Sequence, residues 1–208
     1  MRKSPWISIV LLFVAIGAPQ ARAGSMSCNS ITGNGGLVAN CGFETGTLSS
    51  WTTIHAALGS DVGVANVDAH SGTFSAFFGA SDLMNDYIFQ DLATTPGVTY
   101  DVNFWLYGQF ADLPSAQFVA LWNGSSTPFF SVLGPKMPTV YTDYNFLLKA
   151  TSTSTELEFG GQSVEGFYNL DDVSVVATTT ATPEPSSLLL FGTSLLGLAP
   201  LRKKLLGR

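Results

Sequence analysis

Basic side chains are nearly missing from the middle of this chain. Of nine lysines and arginines in 208 residues, only Lys136 and Lys149 lie between Gly24 and Thr182. The same stretch keeps fourteen of the fifteen acidic residues, for a formal charge of −12. Nucleic acid and anionic membrane surfaces are bound through basic patches, which this stretch cannot build, so no nucleic-acid partner is expected. An excess of carboxylates instead suits a hard cation. Histidine is scarce as well, and His55 and His70 are accompanied by no Gly-x-Ser-x-Gly, His-Glu-x-x-His or phosphate loop. The carboxylate pairs Asp171–Asp172 and Glu156 with Glu158 are adjacent or alternating, which specifies no glycosidase geometry. The chain reads as non-enzymatic.

Cysteine is limited to Cys28 and Cys41. In an exported protein they allow one intramolecular disulfide, whose loop of about fourteen residues would constrain the unfolded chain by roughly 3 kcal/mol. A metal or redox pair would need closer spacing or further ligands.

No segment from Gly24 to Thr182 sustains an apolar period of 3.6 residues. Short runs of β-branched and aromatic residues recur instead between Gly, Pro, Asn, Asp and Ser clusters, which predicts an all-β body. Strands are expected over 36–40, 62–67, 73–79, 87–92, 100–107, 116–122, 127–132, 142–150, 155–160 and 168–176. That number suggests a single jelly-roll β-sandwich. In the strand from Tyr100, alternation sends Val102, Phe104 and Leu106 to the core. Asp101, Asn103, Trp105 and Tyr107 take the other face. There the aromatic rings either stack on sugars or are covered and fill the interior.

Long apolar runs occur only at the ends. Arg2 and Lys3, the apolar Trp6 to Ala18 and Ala21-Arg22-Ala23 have the form of a cleavable signal peptide, residues 1–23. At the other end Pro183-Glu184-Pro185 precedes the uncharged run 186–201 and the basic Arg202, Lys203, Lys204 and Arg208. That run is shorter than the roughly twenty residues a comfortable membrane helix needs. Its basic end would stay cytoplasmic. The expected organisation is a signal helix at 1–23, a sandwich at 24–177, a Thr-rich linker at 178–182 and a C-terminal signal with a hydrophobic helix at 183–208.

Pro-Glu-Pro, an apolar helix and a basic tail, in that order at the C-terminus, resemble the PEP-CTERM sorting signal of exported bacterial proteins. The resemblance implies processing by an exosortase-like transpeptidase after transient inner-membrane anchoring through 186–201. Delivery to the cell surface or an extracellular matrix would follow, with exopolysaccharide as an expected partner. An anchor that is never cut is the alternative.

The body has a resemblance of its own. Val38-Ala39-Asn40-Cys41-Gly42-Phe43-Glu44-Thr45-Gly46 with Trp51, then His70-Ser71-Gly72-Thr73-Phe74-Ser75-Ala76, then Leu170-Asp171-Asp172-Val173-Ser174-Val175, resemble galactose-binding-like jelly rolls common in carbohydrate-binding modules. The likeness implies a structural Ca2+ held by Glu44, Asp171 and Asp172, with carbonyls of Ser71, Gly72 and Thr73. It implies a glycan face at Asp101, Asn103, Trp105 and Tyr107. The expected function is that of a non-enzymatic surface or matrix protein. A module of defined glycan specificity and a self-associating structural protein are the alternatives.

Overall fold

In the computed structural model, the alternation read from Tyr100 is realised over ten residues: every second side chain is buried from Tyr100 to Gly108, and those between are half-buried. The structure describes residues 36–55, 59–80, 84–109 and 114–178. The signal peptide, Cys28, most of the linker and the C-terminal signal lie outside them.

Among the described residues ten strands follow in chain order: β1 (Thr52–Ile54), β2 (Val62–Ala65), β3 (Ser75–Phe78), β4 (Asp86–Ala93), β5 (Thr99–Gly108), β6 (Gln117–Trp122), β7 (Phe130–Leu133), β8 (Thr142–Lys149), β9 (Ser154–Gln162) and β10 (Tyr168–Ala177). They form two five-stranded antiparallel sheets, β1-β4-β9-β6-β7 and β2-β3-β10-β5-β8. No α-helix occurs among the described residues; a single 3-10 turn covers Gly134–Lys136. The chain is a jelly-roll β-sandwich.

Aromatic side chains hold the sheets together. Phe104 of β5 meets Phe159 of β9 edge to face, centroids 5.2 Å apart, and Phe78 of β3 meets Phe118 of β6 at 5.4 Å. All four are fully buried, and each removes enough apolar surface from water to contribute on the order of 2–3 kcal/mol.

Two differences from the sequence reading have clear causes. Residues 36–40 form turns, not a strand: Gly36 (φ 70°) and Asn40 (φ 49°) take the left-handed conformation, and only a parallel bridge from Gly36 to Val175 remains. The Asn40 side chain donates to the carbonyls of Thr47 and Ser49, both at 3.0 Å, folding the following residues into a loop. The short β1 was not expected; it exists because Thr52 to Ile54 pair with Tyr87 to Phe89.

Candidate functional site

A β-bulge shapes the outer face of the β2-β3-β10-β5-β8 sheet. Asp171 pairs with Trp105 and Ser174 with Asn103, so β10 spends one residue more than β5 between these points. Asp172 absorbs the excess with a φ of 49°. The bulge presents two fully buried carboxylates to the loop 67–74. Asp171 Oδ2 accepts the backbone N–H groups of His70 (2.8 Å) and Ser71 (3.1 Å). Asp172 accepts Ser71 Oγ at 2.8 Å and lies 2.7 Å from His70 Nδ1. On the same loop, Glu44 Oε1 accepts the N–H groups of Thr73 (2.8 Å) and Phe74 (3.0 Å). Gly72 (φ 64°) lies directly beneath that carboxylate, where any side chain would overlap it. Burial pushes the Asp171 carboxyl up to about 8, and the neighbouring Asp172 charge adds to the effect.

The residues expected to bind calcium are therefore brought to one loop. Calcium remains a proposal, and donor orientation speaks against it: the loop turns N–H groups toward Asp171 and Glu44, whereas calcium takes oxygen donors. Among the described residues no group of three His, Cys, Asp or Glu side chains is arranged to hold a metal ion. Cys41 is buried and no described cysteine is free; its expected partner, Cys28, lies outside the described residues.

The expected glycan face is assembled in register but is not an open platform. His70 stacks on Trp105, ring centroids 3.8 Å apart and planes 15° apart, and Trp105 Nε1 is buried without a partner among the described residues. Tyr141 packs against His70 and Tyr107 and donates its hydroxyl to the Asp68 carbonyl. Asn103 donates to Asp143, and Asn145 to Asp101, which ties β5 to β8. The loop from Val67 to Ser71 thus lies over the Trp105 ring, the covered arrangement that was one of the two alternatives the sequence left open.

The opposite outer face is different. On the β1-β4-β9-β6-β7 sheet, Tyr87 pairs with Gly160 and Phe89 with Glu158; across β9, Gly160 pairs with Val119 and Glu158 with Leu121. Because Gly160 has no side chain, the Tyr87 ring lies over its α-carbon; an added Cβ would overlap the ring. Asn85 Nδ2 donates to Tyr87 Oη at 3.2 Å and fixes the hydroxyl end. Tyr87, Phe89, Leu121, Gln117 and Glu158 are all half-buried. Burial raises the Glu158 carboxyl above the usual carboxylate range, helped by the charge of Glu156 and a hydrogen bond with it. The result is an aromatic and aliphatic surface edged by carboxyl and carboxamide groups. Sequence reading did not single out this face; the alternation of Tyr87, Phe89 and Asp91 within the strand expected at 87–92 is the signal that points to it.

Comparison with known proteins adds the two ends of the argument. Residues 181–203 match the PEP-CTERM protein-sorting motif. The chain carries that sorting signal. It is accordingly an exported protein with a C-terminal, membrane-associated signal of the kind an exosortase processes. No curated protein matches the chain. Solved structures match the body. TmCBM61, determined in complex with β-1,4-galactotriose, aligns at 18% identity and TM-score 0.53 over 69% of this chain and 99% of that one. The enzymatically active domain of tailspike protein 4 from bacteriophage CBA120 aligns at 13% identity and TM-score 0.54 over 76% of this chain and 24% of that one. The CBM22-1 xylan-binding domain of Paenibacillus barcinonensis Xyn10C aligns at 16% identity and TM-score 0.48 over 67% of this chain and 93% of that one. At such identities the first two likenesses show the fold alone, the jelly roll of carbohydrate-binding modules.

Proposed function

We propose that this exported PEP-CTERM chain is a non-catalytic carbohydrate-binding module at the cell surface or in its matrix. Its ligand lies across the outer face of the β1-β4-β9-β6-β7 sheet. The observation that carries the reading is Tyr87 seated over Gly160, beside Phe89 and Glu158. A ring held against the sheet presents apolar surface to the C–H face of a pyranose, and Glu158, Glu156 and Gln117 supply hydrogen-bonding groups for hydroxyls. The jelly-roll fold shared with TmCBM61 supports the class of ligand.

Binding rather than catalysis follows from the carboxyl groups themselves. Glu156 and Glu158 sit two residues apart on one strand and face the same side of the sheet, so they do not flank a scissile bond from opposite sides. Their shared charge, on a body with two lysines, favours uncharged glycans over uronates or sulfates. Affinity electrophoresis through β-1,4-galactan, xylan, β-glucan and alginate tests the reading. Retardation by at least one neutral polysaccharide is expected, and free migration through all of them would overturn it.

A further inference from the structure

A second recess opens on the other sheet, beside the part covered by His70. It has a volume of about 550 Å³, and Val67, Asp68, Phe77, Gln109, Phe167 and Asn169 line it. That volume lies within the range of about 300–1,000 Å³ usual for small-molecule sites.

Three features distinguish it from a packing defect. The aromatic walls are fixed: Phe77 and Phe167 meet edge to face at 5.4 Å and 82°. Each also rests on a glycine, Phe77 on Gly63 and Phe167 on Gly79, where a Cβ would crowd the ring. Next, Asn169 is only 3% exposed, yet its carboxamide makes no hydrogen bond among the described residues. Its amide atoms are not sealed from solvent but open onto the recess, where they offer donors and an acceptor to a polar occupant. Finally, among the described residues the sole charged side chain on the lining is the carboxylate of Asp68, while Lys136 and Lys149 are exposed elsewhere.

We infer that this recess is a second binding site, separate from the Tyr87 face, for a small uncharged polyhydroxylated ring such as a neutral glycoside unit. Phe77 and Phe167 take the C–H faces of the ring. The carboxamides of Asn169 and Gln109 pair with its hydroxyls. Asp68 excludes anionic sugars.

The test is calorimetric titration of the full chain, in a detergent without a sugar headgroup, with methyl glycosides of galactose, glucose and mannose and with glucuronate. Saturable binding of a neutral glycoside is expected, with no heat from glucuronate. Asn169→Leu should weaken that binding at least about tenfold. Gln109→Ala, a half-buried loop-end position that does not carry the fold, should weaken it about threefold or more. Tyr87→Ala should leave it unchanged. Absence of binding by all three neutral glycosides, or binding unaltered in both recess variants, would overturn the inference. Loss in Tyr87→Ala alone would also overturn it, by assigning the heat to the other face. Polysaccharide retention through that face is read separately, so either site can fail without the other.

Discussion

The imidazole of His70 lies on the indole of Trp105, with centroids 3.8 Å apart, while its Nδ1 stands 2.7 Å from Asp172 Oδ2. One side chain closes the outer face over Trp105 and pins loop 67–74 to the bulge in β10. His70→Ala should remove both ties and cost about 2 kcal/mol. Trp51 and Trp122 are 6% and 7% exposed, and Trp6 of the N-terminal apolar run is common to both proteins, so an acrylamide-quenchable component present only in the variant would report Trp105. A fall in melting temperature together with that component is expected; unchanged melting and quenching would contradict the clasp.

Gly160→Ala probes the other face. The added methyl must displace the Tyr87 ring from the sheet, at a cost of about 1–3 kcal/mol. Polysaccharide retardation should be lost while the variant still melts cooperatively. Retention at the wild-type level would remove Tyr87's seat from the account.

Why one face was legible and the other was not comes down to particular residues. Alternation in β5 announced both the core positions Val102, Phe104 and Leu106 and the outward Trp105 and Tyr107, because a strand's period is fixed at two. It carried no information about His70, which comes from a loop thirty-five positions earlier and covers Trp105. Likewise Gly160 reads as a weak strand residue until its partner is known; the pairing with Tyr87 turns a missing side chain into a seat for a ring. The strand expected at 36–40 failed because Asn40 satisfies backbone carbonyls with its own amide, which favours a turn over a ladder.

Acidity provides a third prediction. The native state raises the carboxyl of Asp171 to about 8 through burial and the Asp172 charge, and raises that of Glu158 in the same direction. Between about pH 4 and 8 the folded chain therefore holds protons that the unfolded chain has released, so stability falls as pH rises through that window. Melting temperature should decline from pH 5 to 8, and Asp171→Asn should flatten the slope. A rise over the same range would contradict the raised carboxyls.

The calcium proposal has a readout of its own. With backbone N–H groups directed at Asp171 and Glu44, melting in chelator should match melting in millimolar calcium to within about a degree. An increase of several degrees in calcium would show that an ion joins Glu44, Asp171 and Asp172, with the loop rearranged to offer carbonyls.

The most direct test of the account compares Tyr87→Ala with Trp105→Ala in affinity electrophoresis through a polysaccharide that retards the wild type. Tyr87→Ala should migrate freely. Trp105→Ala should remain retarded despite a lower melting temperature, because its ring serves the clasp beneath His70. The reverse pattern, with binding lost in Trp105→Ala and kept in Tyr87→Ala, would return the glycan to the covered face and contradict the central claim.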